Sequence, residues 1–131
     1  MTVSQRIEEE LALLREYYEG LEYIPDGRWV RIPDYPLPPD WNRRATDVAF
    51  QIQAAHPGTA PYGIYVPTGL QYKGAQPKNY QEPAATRPPF PGTWGVFSWQ
   101  PEQWQPKANI RQGANLLNWV QGFAVRFREG L

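Results

Sequence analysis

The chain has no cysteine. That excludes disulfides, thiolate metal sites and any thioester intermediate. It has one histidine, His56, too few for a zinc enzyme or a multi-histidine relay, so neither a metal nor another cofactor is expected. Neither charge dominates: thirteen Lys and Arg stand against thirteen Asp and Glu. A formal net charge of zero supplies no basic field, so no nucleic-acid partner is expected. Long apolar runs are missing too, and Arg6 and Glu8-Glu9-Glu10 break up the N-terminal segment. Neither a membrane span nor a secretory leader is predicted, and a cytoplasmic protein is the default expectation.

What is present is aromatic and rich in proline. Six Trp, eight Tyr and five Phe in 131 residues suffice for one solid core, so residues 1–131 are expected to form a single domain. Fifteen Pro fall in residues 25–39, 57–67 and 77–106. These stretches are predicted to be stiff connections rather than helices, because proline lacks the amide donor and clashes with a preceding turn.

Residues 3–19 read as a helix. Val3, Ile7, Leu11, Leu14 and Tyr18 recur at spacings of four, four, three and four, which makes one apolar stripe. Thr2 with Gln5 has the pattern of a capping box, and Gly20 is a natural stop. Arg6, Arg15 and Glu8, Glu9, Glu10 are expected on the charged outer face. Strands follow around residues 21–24, 29–32, 47–53 and 62–66, with Pro25-Asp26-Gly27 as a turn. Val48, Phe50 and Ile52 alternate with Ala49, Gln51 and Gln53. The run 33–39 reads as an extended connection, since its prolines suit no central strand. Residues 67–109 show little periodicity and are expected to be long and irregular. A second helix is predicted from about 110 to 128, starting near Asn109 and Gln112 and ending by Gly130. The layout is α+β: an N-terminal helix, about four strands in an antiparallel meander, a long irregular segment, and a C-terminal helix.

Two landmarks punctuate this order. His56-Pro57-Gly58-Thr59-Ala60-Pro61 leads into the strand Tyr62-Gly63-Ile64-Tyr65-Val66, and Trp104-Gln105-Pro106 precedes the last helix. Together with the block Ile32-Pro33-Asp34-Tyr35-Pro36-Leu37-Pro38-Pro39-Asp40-Trp41-Asn42, then Thr46-Asp47-Val48, then Trp94 and Phe97-Ser98-Trp99, they resemble the ubiquitin-conjugating (UBC) fold. The likeness is strongest to a bacterial branch, the prokaryotic ubiquitin-conjugating-like family E, and it covers nearly the whole chain. It implies a UBC-like fold. It also implies two partners, an adenylating activating enzyme and a ubiquitin-like modifier, with acyl transfer from the first to an acceptor.

The chain departs from the family's usual pattern at the cysteine and at the histidine-proline-asparagine before it. Asn79 lies far upstream of Ser98 and follows no His-Pro. Ser98, six residues before Trp104, is the candidate acceptor, forming an oxyester in place of a thioester. It either is the natural residue or replaces a cysteine. A serine hydroxyl needs a base or an oxyanion site, and backbone amides from Gly95 to Trp99 are candidate donors. Glu102, four residues on, is a weaker candidate base, and the plainer reading is a solvated charge. The resemblance places Arg6 and Arg15 on the helix that engages the activating enzyme. It puts His56, Pro57, Gly58 and Thr59, with Pro106 and Lys107, on two loops that meet partners; an ordinary tight turn is the plainer reading, and for His56 the role is either structural or at the interface. Trp94 and Trp99 are candidate walls of a groove for the modifier's tail, or else they roof a core. Two alternatives stand beside the oxyester reading. One is a non-catalytic variant that binds the modifier or the activating enzyme. The other is an aromatic-rich sugar-binding module.

Overall fold

A computed structural model describes residues 2–130. Helix α1 (Val3–Tyr17) begins at the predicted capping box. The Gln5 amide donates to Thr2 Oγ1 at 3.1 Å, and the Thr2 amide donates to Gln5 Oε1 at 2.8 Å. The helix stops two residues short of the predicted end, with Tyr18 as its cap. Tyr18 leaves the helical stripe and stacks on Tyr35 at 6.0 Å.

Six strands follow: β1 (Glu22–Ile24), β2 (Trp29–Pro36), β3 (Ala45–Gln51), β4 (Ile64–Pro67), β5 (Tyr80–Gln81) and β6 (Trp94–Phe97). Helix α2 (Leu116–Glu129) completes the chain. The protein is α+β, with two helices and one six-stranded antiparallel sheet of order β1-β2-β3-β4-β6-β5. The first four strands are the expected meander. Among the described residues, no helix is long and apolar enough to cross a membrane.

Three expectations need correcting. The sheet has two strands more than predicted, because β5 and β6 lie inside the segment that reads as irregular. Strand β6 shows no alternation because both its faces are covered: Trp94 packs with Trp29 and Phe90, while Phe97 faces the helices. Gly95 between them is needed for space, since a Cβ there would collide with the Tyr80 ring of β5. Strand β2 runs on through Pro33 and Pro36, against the proline argument. Its pairing with β1 ends at Arg31, so on that side the prolines have no neighbour to miss an amide. The register with β3 shifts between Ile32 and Tyr35, where Asp34 takes a φ of 55°. Finally, α2 starts at Leu116 rather than near Asn109. Asn115 is its cap, accepting from the Asn118 amide at 2.7 Å, and Gly113 turns the chain before it at a φ of 66°. Ile110 is only partly buried and lies outside the helix.

Both helices pack on one sheet face. Ile7, Leu11 and Leu14 of α1 meet Val30, Ile32, Val48 and Phe50 of the sheet and Leu116, Val120, Phe123 and Phe127 of α2. Two polar bonds fix α2 to the sheet side: Tyr35 Oη donates to the Val120 carbonyl at 2.7 Å, and Trp41 Nε1 donates to the Phe127 carbonyl at 2.8 Å. On the other face a smaller cluster of Trp29, Ala49, Phe90 and Trp94 is covered by the proline-rich chain before β6, with Arg31 over the Phe90 ring at 5.7 Å.

Candidate functional site

The one histidine belongs to a buried ion cluster. Glu10 sits one residue before Leu11 and three after Ile7, so the helical period carries it onto the apolar face of α1 and away from solvent. It is 1% exposed, as is His56, and Arg6 is 6% exposed. One carboxylate oxygen of Glu10 accepts from Arg6 Nε at 2.9 Å and meets His56 Nε2 at 2.5 Å. The other accepts from the Leu116 amide at 2.6 Å, so Glu10 supplies an anion to the first turn of α2. Burial pushes the Glu10 carboxyl pKa up, but the hydrogen bonds from His56, Leu116 and Arg6 and the His56 charge outweigh it. The net direction is down.

This cluster positions the loops around it. Arg6 Nη1 donates to the Lys107 carbonyl at 2.5 Å, and Trp104 Nε1 donates to the Pro57 carbonyl at 2.6 Å. Helix α1, the turn at 56–61, the 104–107 segment and the start of α2 are thereby tied at one end of the molecule. The candidate partner residues of the two loops are therefore gathered but divided, and Arg15 lies apart from them in the last turn of α1. Arg15, Gly58, Thr59 and Lys107 are exposed, and Pro57 and Pro106 are half-buried. Arg6 and His56 are not on the surface; they hold it up from beneath. The expected contact role of Arg6 is corrected on that ground, and of the two roles open to His56 the structural one fits: a side chain closed off from solvent meets no partner while the chain stays folded.

The two tryptophans expected to wall a groove are also placed differently. Trp94 lies in the cluster on the far sheet face, and Trp99 stacks on Phe97 at 4.4 Å within the main core. They point to opposite sides of the sheet and share no groove. A groove does exist elsewhere. It runs between the 101–107 segment and α2, with a volume of about 400 Å³. Trp104 and Trp119 line it, together with Ile64, Gly122, Phe123, Lys107 and Arg126. Asn118, Trp119, Gly122, Phe123 and Arg126 share one face of α2 because they follow the helical repeat.

Gly122 sets the depth of this groove. It sits mid-helix, and a Cβ built on it meets nothing within 4 Å. Glycine inside a helix is about 0.5–1 kcal/mol less stable than alanine. Gly122→Ala is therefore expected to stabilise the fold by about that amount while narrowing the groove. A urea titration checks it; a loss of stability would show that the position is not open.

Ser98 directly follows β6 and is exposed. Its amide donates to the Asn79 carbonyl at 2.8 Å, so the fold brings together two residues that are far apart in sequence. The contact is through the backbone. Among the described residues the Ser98 hydroxyl has no hydrogen-bond partner, and the chain's histidine is occupied by Glu10. Glu102 is exposed, with no bond to Ser98. Ser98 is not among the residues that line the groove; only its chain neighbours approach it. Its neighbour Phe97 pairs with Ile64, which lines the groove, and Arg126 Nη2 donates to the Gln100 carbonyl at 2.6 Å.

Sequence reasoning missed Glu10, Trp119, Gly122 and Arg126. The signals were present for two of them. Glu10 falls on the stripe with Ile7, Leu11 and Leu14 and pairs at four residues with Arg6, and Gly122 interrupts an otherwise good helix. Among the described residues, no group of three or more acidic, histidine or cysteine side chains could hold a metal ion. No protein-family model matches this chain, and comparisons with curated proteins and with solved structures find no match.

Proposed function

We propose that this chain is a ubiquitin-conjugating-like protein that holds the extended C-terminal tail of a ubiquitin-like modifier, without a thioester of its own. The observation that carries the reading is the groove along α2, with aromatic walls and a floor left open by Gly122. An extended tail brings backbone and small side chains, and a groove with open space above a glycine suits that shape. The exposed Gly58 and Thr59 give the activating enzyme a place to dock at the end of the molecule that the Glu10 cluster stiffens, with Arg15 further along α1. The order of elements, with a meander between an N-terminal and a C-terminal helix, agrees with the resemblance.

Titrating the chain with a ubiquitin-like modifier, by calorimetry, tests this. Removing the modifier's tail, or introducing Gly122→Leu, is expected to weaken binding at least tenfold, about 1.4 kcal/mol. Equal affinity for the intact and the truncated modifier would sink the reading.

A second reading adds chemistry at Ser98. It is favoured by the exposure of Ser98 at the end of β6, two residues before Gln100, whose carbonyl Arg126 bonds. In that reading the Ser98 hydroxyl attacks the activated modifier carboxyl held by the adenylating enzyme. An ester bond forms, the leaving group departs with its electron pair, and the hydroxyl proton passes to solvent or to a base on the partner. Transfer is expected to be slow, because among the described residues no base touches the hydroxyl. With modifier, activating enzyme and ATP, a conjugate is expected that survives thiols and is cleaved by hydroxylamine. Ser98→Ala is expected to abolish it, and Ser98→Cys to make it thiol-sensitive. A hydroxylamine-labile conjugate at full yield in Ser98→Ala would move the acceptor elsewhere, and no conjugate at all would leave the binding role alone. The sugar-binding reading is not carried further: Trp29, Trp41, Trp94, Trp99 and Trp119 are buried and Trp104 is half-buried, so no flat indole platform faces solvent.

A further inference from the structure

We infer that Arg126 receives the free carboxylate at the end of the bound tail, and that the tail runs from the Lys107 end of the groove to the Arg126 end. The inference rests on the tail-binding reading above and gives it a direction and a terminal group.

Charge points first to an anion. Lys107 and Arg126 line the groove, and no Asp or Glu does. Length sets how much chain fits. From Asn118 to Arg126 the helix rises about 12 Å at 1.5 Å per residue. At about 3.3 Å per residue, that accommodates roughly three or four extended residues.

The two cations are not equivalent. Lys107 is exposed, on a flexible stem, beside the start of α2. The anion-attracting first turn of α2 is already occupied: the Glu10 carboxylate accepts from the Leu116 amide, and the Asn115 cap accepts from the Asn118 amide. Arg126, by contrast, is held in place. Its guanidinium lies over the Trp99 ring at 5.8 Å, and Nη2 bonds the Gln100 carbonyl at 2.6 Å. An arginine fixed on two sides keeps further donors of its planar fork for a carboxylate and loses little freedom on binding. Trp119 lines the groove with its ring, while its indole N–H is closed off from solvent, so it reports on the groove wall rather than bonding the tail. With the carboxylate at Arg126, the tail ends beside the Gln100 backbone.

The probe is the synthetic tetrapeptide Leu-Ala-Gly-Gly, as a free acid and as its C-terminal amide. Binding to the whole chain is read from the tryptophan indole N–H shifts. The free acid is expected to bind about tenfold tighter than the amide, the worth of one charge-assisted contact. Arg126→Gln is expected to remove that preference, so that the free acid binds no tighter than the amide. Arg126→Lys, which keeps the charge without the fork, is expected to restore only part of it. Gly122→Leu is expected to eliminate binding of both peptides. Equal affinity of acid and amide for the native chain would overturn the inference and leave the groove reading standing. Loss of the preference in Lys107→Met, and not in Arg126→Gln, would reverse the tail and overturn it too. No shift of the Trp119 indole with either peptide at millimolar concentration would overturn both.

Discussion

Glu10→Ala is expected to destabilise the fold by about 3–5 kcal/mol, the cost of breaking a buried ion pair on one side. Arg6 would be left in the interior without its counter-ion, and its Nη2 has no partner among the described residues even now. The Leu116 amide and His56 Nε2 would lose their acceptor as well. For a chain of this size such a loss lowers Tm by roughly 10–15 °C. Glu9→Ala, one residue away and exposed, is the control, expected within about 0.5 kcal/mol of the parent. Urea titrations of the three proteins decide it, and a Glu10→Ala loss below about 1 kcal/mol would mean that the cluster carries little of the fold's stability.

The same residue gives the prediction a pH signature. The Glu10 carboxyl lies below its ordinary value of 4.5 in the folded chain. In the unfolded chain it returns to that value. The unfolded state therefore takes up the proton first as pH falls, and folding is stabilised wherever Glu10 is ionised in both states. Its contribution is complete above the ordinary carboxylate value and disappears as pH falls through the lower, folded one. The stability gap between the native chain and Glu10→Gln is expected to shrink as pH falls below the ordinary carboxylate value. A gap that widens below pH 4 would contradict the sign. Arg6 and His56 are the ionisable side chains bonded to the carboxylate. Because Arg6 holds the Lys107 carbonyl, Glu10→Ala is also expected to loosen the outer wall of the groove and weaken tail binding.

Phe127→Ala is expected to be comparably damaging, at about 3–5 kcal/mol. Phe127 is fully buried, and its ring meets Tyr35 at 5.9 Å, Trp41 at 5.4 Å, Phe97 at 6.1 Å and Trp99 at 5.4 Å. These neighbours come from β2, the 38–44 turn, β6 and the residues just after it, so truncation opens a cavity that no single element can close. Phe127→Leu, which keeps most of the volume, is expected to cost under about 2 kcal/mol. The functional consequence is specific. Trp99 carries Arg126 on its face and rests on Phe127, so the cavity frees the arginine before the helix is lost. A preference for the free-acid tetrapeptide that survives intact in Phe127→Ala would separate the core from the site. A stability loss below about 1.5 kcal/mol would show that the aromatic neighbours repack.

The sequence by itself determined the class of this fold. The stripe Ile7, Leu11, Leu14 required a helix packed on something apolar, the capping box marked its start, and the alternation of Val48 and Phe50 with Ala49 and Gln51 required a strand. These signals are local: each depends on residues within a turn or two. The lack of cysteine likewise ruled out a thioester whatever the fold. The tertiary structure decided what local patterns do not carry. Strand β6 is covered on both faces, which erases its alternation, and β5 is two residues long. Arg6, Glu10 and His56 read as surface charge and a turn residue, because their burial depends on the approach of α2 and the 104–107 segment. The groove too is a property of two segments. Trp104, Gly122 and Arg126 face one another only because the chain returns along α2, and no spacing within either segment encodes that distance.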